Sequence, residues 1–152
     1  MIKNNYQIIL FLILVFSSIS FSQNNTELWK PINFDPEKNI YIDLAGLEHF
    51  TEDDIYVWVL EEFTEPFELE SSNEEIFTAK TYYLLNKELN MYSILEIIYY
   101  DEKDAITEYY NYWRNTDIES YKYNYPIMPG SVESSLLENC IDYINKKNSE
   151  AK

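Results

Sequence analysis

Residues Tyr125–Ile144 read YPIMPGSVESSLLENCIDYI, a break in the chain followed by one amphipathic helix. Pro126, Pro129 and Gly130 end whatever precedes them. Ser131 is a side chain that accepts a hydrogen bond from a free N–H of a first helical turn. Val132, Leu136, Cys140 and Ile144 then recur every fourth residue, flanked by Leu137 and Ile141. They make an apolar stripe about 100° wide, opposite Glu133, Glu138 and Asp142. Such a stripe requires a broad apolar surface to lie on, and the chain before it reads as strands.

Upstream of the break, Ala105–Trp113 (AITEYYNYW) holds four aromatics and is read as a strand. A helix over Asp104–Trp113 is the competing reading, because Ile106, Tyr109, Tyr110 and Trp113 also fit a spacing of three and four. Asp101–Asp104 (DEKD) is a turn. Before it, Phe77–Leu85 (FTAKTYYLL) and Met91–Asp101 (MYSILEIIYYD) flank Asn86–Asn90 (NKELN), a loop of hairpin length. Glu61–Glu75 carries seven glutamates, Pro66 and no basic residue, and is expected to be a solvated connection.

Ile55–Phe63 (IYVWVLEEF) is apolar on both faces through Leu60, as a central strand would be. Ile40–Leu44 (IYIDL) alternates, with Ile40, Ile42 and Leu44 on one face and Tyr41 and Asp43 on the other. Asn24–Asn39 is polar, with Trp29 and Phe34 as its anchors. The expected fold is α+β: a small antiparallel sheet of about five to six strands with a C-terminal α-helix packed across one face. The expected division is a signal peptide over 1–22, an extended lead-in over 23–39, the α+β domain over 40–147 and a disordered tail over 148–152.

The chain has 27 Asp and Glu against 11 Lys and Arg, a formal charge of −16. A field of that sign repels nucleic acid and anionic lipid, so neither is an expected partner. Aromatics are 17% of the 152 residues, which suits half-buried sheet surfaces, and a chain of this size buries enough core to fold without crosslinks. At the N-terminus Lys3 supplies a positive region, Ile8–Phe16 (IILFLILVF) an apolar core, and Ser20-Phe21-Ser22 small residues for cleavage. The apolar run is about half of what a bilayer span requires. The expected product is exported to the periplasm, the cell surface or the medium, beginning at Gln23 and with no membrane span.

Taken in order, Tyr41-Ile42-Asp43-Leu44, Val57-Trp58-Val59-Leu60, Tyr92-Ser93-Ile94-Leu95 with Tyr99-Tyr100-Asp101, Trp113, and Pro129-Gly130-Ser131 leading to Cys140 resemble the surface-adhesin protein E-like domain of bacterial exported proteins. The resemblance spans Trp29 to Cys140. It implies a small antiparallel sheet with a terminal helix across it, adhesion in some members, and no common catalytic constellation. It also implies a bond from the helix cysteine to an Asp-Cys pair ahead of the Tyr-x-Ile-Leu strand. Here that pair is Asn86-Lys87, so Cys140 keeps its place without its partner, and the helix forgoes the roughly 2–4 kcal/mol a disulfide typically adds.

Candidate chemistry is sparse. Cys140 lies on the apolar stripe, where burial suppresses the thiolate, so it is assigned to the scaffold. Ser131, Leu136, Ile144 and Trp58 join it there. His49 is the single histidine, and no G-x-S-x-G accompanies it. The glutamate run lacks the alternating ligands and central glycine of a calcium loop, so no metal or cofactor is expected. Tyr41, Tyr56, Trp58, Tyr82, Tyr92 and Tyr100 share strand parities, and the five tyrosines among them are the candidate binding residues, for a protein or glycan partner. An exposed edge strand also invites a homodimer. The leading functional expectation is therefore a non-catalytic, adhesin-like binding module. A periplasmic or secreted hydrolase using carboxylates or His49 is the alternative, and a structural envelope component is a third. A cleft of carboxylates with shifted pKa values would favour the enzyme, and an aromatic face the binder.

Overall fold

A computed structural model describes residues 28–32, 37–45, 47, 53–69, 73–112 and 122–151. The leader at 1–22, Phe34, His49 and Trp113 lie outside the described residues. Among the described residues the strands and the long helix follow in order: β1 (Trp29–Ile32), β2 (Lys38–Asp43), β3 (Asp54–Glu68), β4 (Glu75–Asn86), β5 (Met91–Tyr100), β6 (Ile106–Asn111), β7 (Tyr125–Pro126) and α1 (Val132–Glu150). The sheet is an antiparallel meander in the order β1-β2-β3-β4-β5-β6, and β7 also pairs with β5. β6 lies against Glu96–Tyr100 of β5, whereas β7 lies against Met91 and Tyr92. The two short strands thus share one side of β5. Most of the described chain is sheet, and one helix completes it.

The helix begins as its sequence dictates. Gly130 has φ +76°, a left-handed conformation that side chains rarely adopt, and it turns the chain sharply before the helix. Ser131 Oγ accepts from the Ser134 N–H at 3.2 Å, satisfying one of the free donors of the first turn. Leu136, Leu137 and Cys140 are buried, and Val132, Ile141, Tyr143 and Ile144 pack partly buried around them. They meet Ile32, Ile40, Ile42, Leu44, Ile55, Val57, Val59, Tyr83 and Leu85, which form one core with the helix. Near its middle the helix is tied to the first strand, where Lys30 Nζ donates to Asn139 Oδ1 at 3.0 Å.

Three expectations change. The lead-in contains β1, which places Trp29–Ile32 inside the sheet. Pro31 weakens the strand signal, yet an edge strand tolerates a residue without an N–H. The glutamate run is largely strand: β3 continues to Glu68 and β4 starts at Glu75. Pairing of β3 with β4 uses backbone groups, and the exposed residues from Thr64 to Glu68 leave carboxylates in water. The residues of the 148–152 tail are helical through Glu150, and the Ala151 N–H closes the last turn onto Lys147 O at 3.2 Å. The strand expected after the Asp101–Asp104 turn is present as Ile106–Asn111, and the helical alternative there fails.

Candidate functional site

The sheet has two unlike faces. Ile55, Val57 and Val59 point to the helix, so Tyr56, Trp58 and Leu60 point away. Register carries that second face across the sheet. One row runs Pro31–Tyr41–Leu60–Lys80–Ile98–Tyr109, and its neighbours run Trp58–Tyr82–Glu96 and Glu62–Thr78–Tyr100. Tyr41, Tyr56, Trp58, Tyr82 and Tyr100 therefore share one face, and all five are half-buried. The Trp58 and Tyr82 rings stack at 4.7 Å with 20° between their planes, and Tyr56 lies 6.2 Å from Tyr82. A ring pair of this kind contributes about 0.5–1.5 kcal/mol beyond its buried area. Trp58, assigned to the scaffold from sequence, thus belongs to the surface cluster as much as to the frame.

Tyr92 does not belong to that cluster. It packs against the helix-side core, with its ring 6.0 Å from Tyr83 and 5.4 Å from Tyr125. The cause is a β-bulge: Tyr82 pairs with Glu96 and Tyr83 with Ile94, leaving Leu95 as an extra residue. One extra residue exchanges the faces along β5, so Tyr92 and Tyr100, an even number of residues apart, point to opposite sides.

Two phenols of this face, Tyr82 and Tyr41, are shifted upward. Burial, with Tyr56 and Glu96 nearby, raises the Tyr82 pKa. Tyr41 is raised by donating to Glu62 Oε2 at 3.1 Å. Beside them a hollow of about 330 Å³ is walled by Trp29, Leu60, Glu62, Lys80, Tyr100 and Asp104. Lys80 Nζ sits 5.4 Å from the Trp29 ring centroid, within the range of a cation–π contact.

At the other end of the face, Asp54 gathers a polar cluster that the sequence reading did not find. Its carboxylate accepts from Lys122 Nζ, from the Tyr123 hydroxyl and, at 2.7 Å, from Asn86 Nδ2. Asn86 Oδ1 accepts from the N–H groups of Glu88 and Leu89 and so closes the β4–β5 turn. Ser93 Oγ accepts from the Asn124 N–H and donates to Lys122 O. The returning segment 122–124 is thereby fastened to β3, β4 and β5. Burial would raise the Asp54 pKa, but the donors Lys122, Tyr123 and Asn86 outweigh it and hold it below the usual carboxylate value. A carboxylate saturated by three donors is a clamp, and it is poorly suited to moving protons. An Asp and an Asn far apart in sequence from their Lys and Tyr partners carry no pattern that would have identified the cluster.

Cys140 is fully buried, and that burial pushes its thiol up to about 12. Lys87, at the position where the resemblance implies a cysteine, lies in the β4–β5 turn and pairs with Asp53 at 3.2 Å. A thiol reagent is expected to leave the native protein unlabelled and to react only when it is unfolded. Stoichiometric labelling of the folded protein, followed by intact mass, would show the thiol to be accessible. Among the described residues no helix is long and apolar enough to cross a membrane. No protein-family profile, curated protein or solved structure matches this chain.

Proposed function

We propose that the protein is an exported, non-catalytic binding module of the surface-adhesin protein E-like type, which recognises a protein or glycan partner on the sheet face turned away from α1. One observation carries this reading: Tyr41, Tyr56, Trp58, Tyr82 and Tyr100 converge on that face and remain half-exposed, while the helix covers the other. Large rigid rings with polar tips give binding area at little entropic cost. The leader sequence supports export. The antiparallel sheet with a terminal helix is the arrangement that the resemblance implies. The saturated Asp54 carboxylate fits a clamp better than a hydrolase.

The test is saturable binding of the purified protein to immobilised matrix proteins and oligosaccharides, with wild type compared with Trp58→Ala/Tyr82→Ala. The double variant should lose at least tenfold in affinity. Tyr110→Ala, on the helix side of β6, should bind as wild type, and circular dichroism should show all three folded. Equal binding by the double variant would move the site elsewhere. Turnover of a glycan or ester, with no binding, would support the hydrolase.

A further inference from the structure

A recess opens where β3 and β4 fall out of register. Pairing passes from Glu62 opposite Thr78 to Phe67 opposite Ile76, so Phe63, Thr64, Glu65 and Pro66 all stand against the single residue Phe77. Surplus residues on one strand bulge and re-aim their side chains, and Pro66 has no N–H with which to rejoin the ladder. The bulge and the start of β2 enclose about 610 Å³, lined by Glu37, Lys38 and Phe63–Phe67, within the roughly 300–1,000 Å³ of ligand clefts. Ile40 of the core pairs with Glu61, and Lys38 pairs with Phe63. Lys38 and Phe63 therefore point to the helix side of the sheet, away from the tyrosine face.

Aromatic rings and carboxylates meet in this recess. The Phe63 and Phe67 rings stand edge to face, 4.9 Å apart with 88° between their planes. Phe67 also meets the Tyr99 ring at 6.1 Å, yet it remains 37% exposed. The Thr64 N–H donates to Glu37 O at 3.0 Å, which brings Glu37 beside the bulge that carries Glu65. The ammonium of the recess, Lys38 Nζ, is paired with Glu61 Oε1. It therefore offsets Glu61, and the charges of Glu37 and Glu65 are left over. Along β3 from Glu61 to Glu68 there are four glutamates and no basic residue.

We infer that the recess receives a lysine or arginine side chain from a basic segment of a protein partner. Charge complementarity selects this occupant. Carboxylates outnumber ammonium groups in and around the recess, and the whole chain carries −16, so an anionic segment is repelled and a basic one is drawn in. The negative faces of phenyl rings attract an ammonium or guanidinium as well. Among the described residues no group of three Asp, Glu, His or Cys side chains is placed to hold a metal ion, which favours an organic cation. The apolar stem of Lys or Arg lies on rings such as Phe63 and Phe67 while its charged head reaches a carboxylate. The site is separate from the tyrosine face, so either can fail alone.

Fluorescence anisotropy of three labelled peptides, built on Arg-Gly-Ser, Lys-Gly-Ser and Gln-Gly-Ser repeats, tests the inference against the purified protein. The two basic peptides should bind saturably and the Gln peptide should not. Phe67→Leu and Glu65→Gln should each weaken the basic peptides at least threefold, about what a cation–π contact at an exposed site contributes. Phe67→Leu keeps the charge and an apolar side chain, so its effect isolates the ring from general attraction. Glu108→Gln, which removes the same charge on β6, should change binding less than twofold. Circular dichroism should show every variant folded. The inference falls if no basic peptide binds at millimolar concentration, if the Gln peptide binds equally well, or if Phe67→Leu binds as wild type. It also falls if Glu65→Gln does no more than Glu108→Gln. Loss of the basic peptides in Trp58→Ala/Tyr82→Ala, with Phe67→Leu unaffected, would overturn the recess and leave the tyrosine face standing.

Discussion

Leu136→Ala is expected to destabilise the protein by about 2–5 kcal/mol, the range for removing a buried leucine from a core that closes only partly behind it. Leu136 has no exposed surface and stands where the helix meets the inner faces of the strands. No crosslink shares the load, because Cys140 is a free thiol. The effect should appear as a lower midpoint in urea and a melting temperature lower by roughly 10 °C. Met128→Ala, at a residue 61% exposed, should stay within about 0.5 kcal/mol of wild type. Equal, small losses for the two variants would mean that the helix is not seated on the sheet as described.

The second large effect belongs to Asp54. Replacing it with alanine removes the acceptor of Lys122, Tyr123 and Asn86 at once, and should cost about 2–3 kcal/mol near neutral pH. The sign of its pH dependence follows from the depressed pKa. The stabilisation is fully present above the unfolded carboxylate value of about 3.9, and it is lost as pH falls through the lower folded value. Urea midpoints measured from about pH 7 down through that window should fall for wild type. Asp54→Asn should start lower and lose less over the same range. Parallel losses in the two proteins would assign the acid sensitivity to other carboxylates.

Much of this fold is legible in the sequence, and the exceptions have physical causes. The Pro129-Gly130-Ser131 stop, the helix stripe and the Ile40–Ile42–Leu44 alternation each depend on residues within one element, so local reading finds them. β1 and β7 escape because they are short and each contains a proline, acceptable only where a neighbouring N–H is not required. The β3–β4 extension escapes because glutamates resemble a loop when both faces of a strand are in water. The candidate site depends on register, which no single strand specifies. Four of the five tyrosines chosen by parity do share a face, but the bulge at Leu95 turns Tyr92 to the other. Trp29 shares the hollow with Lys80 and Tyr100, which lie on strands that do not neighbour its own. The Asp54 clamp unites residues about seventy positions apart, a pairing that composition and spacing do not encode.

The binding-face account is tested most directly by hydroxyl-radical footprinting of the protein with a bound partner, read residue by residue by mass spectrometry. Tyr41, Tyr56, Trp58, Tyr82 and Tyr100 should become protected together, while Tyr110 and Tyr143 on the helix side keep their rates. Protection of the helix-side tyrosines with those five unchanged would contradict it.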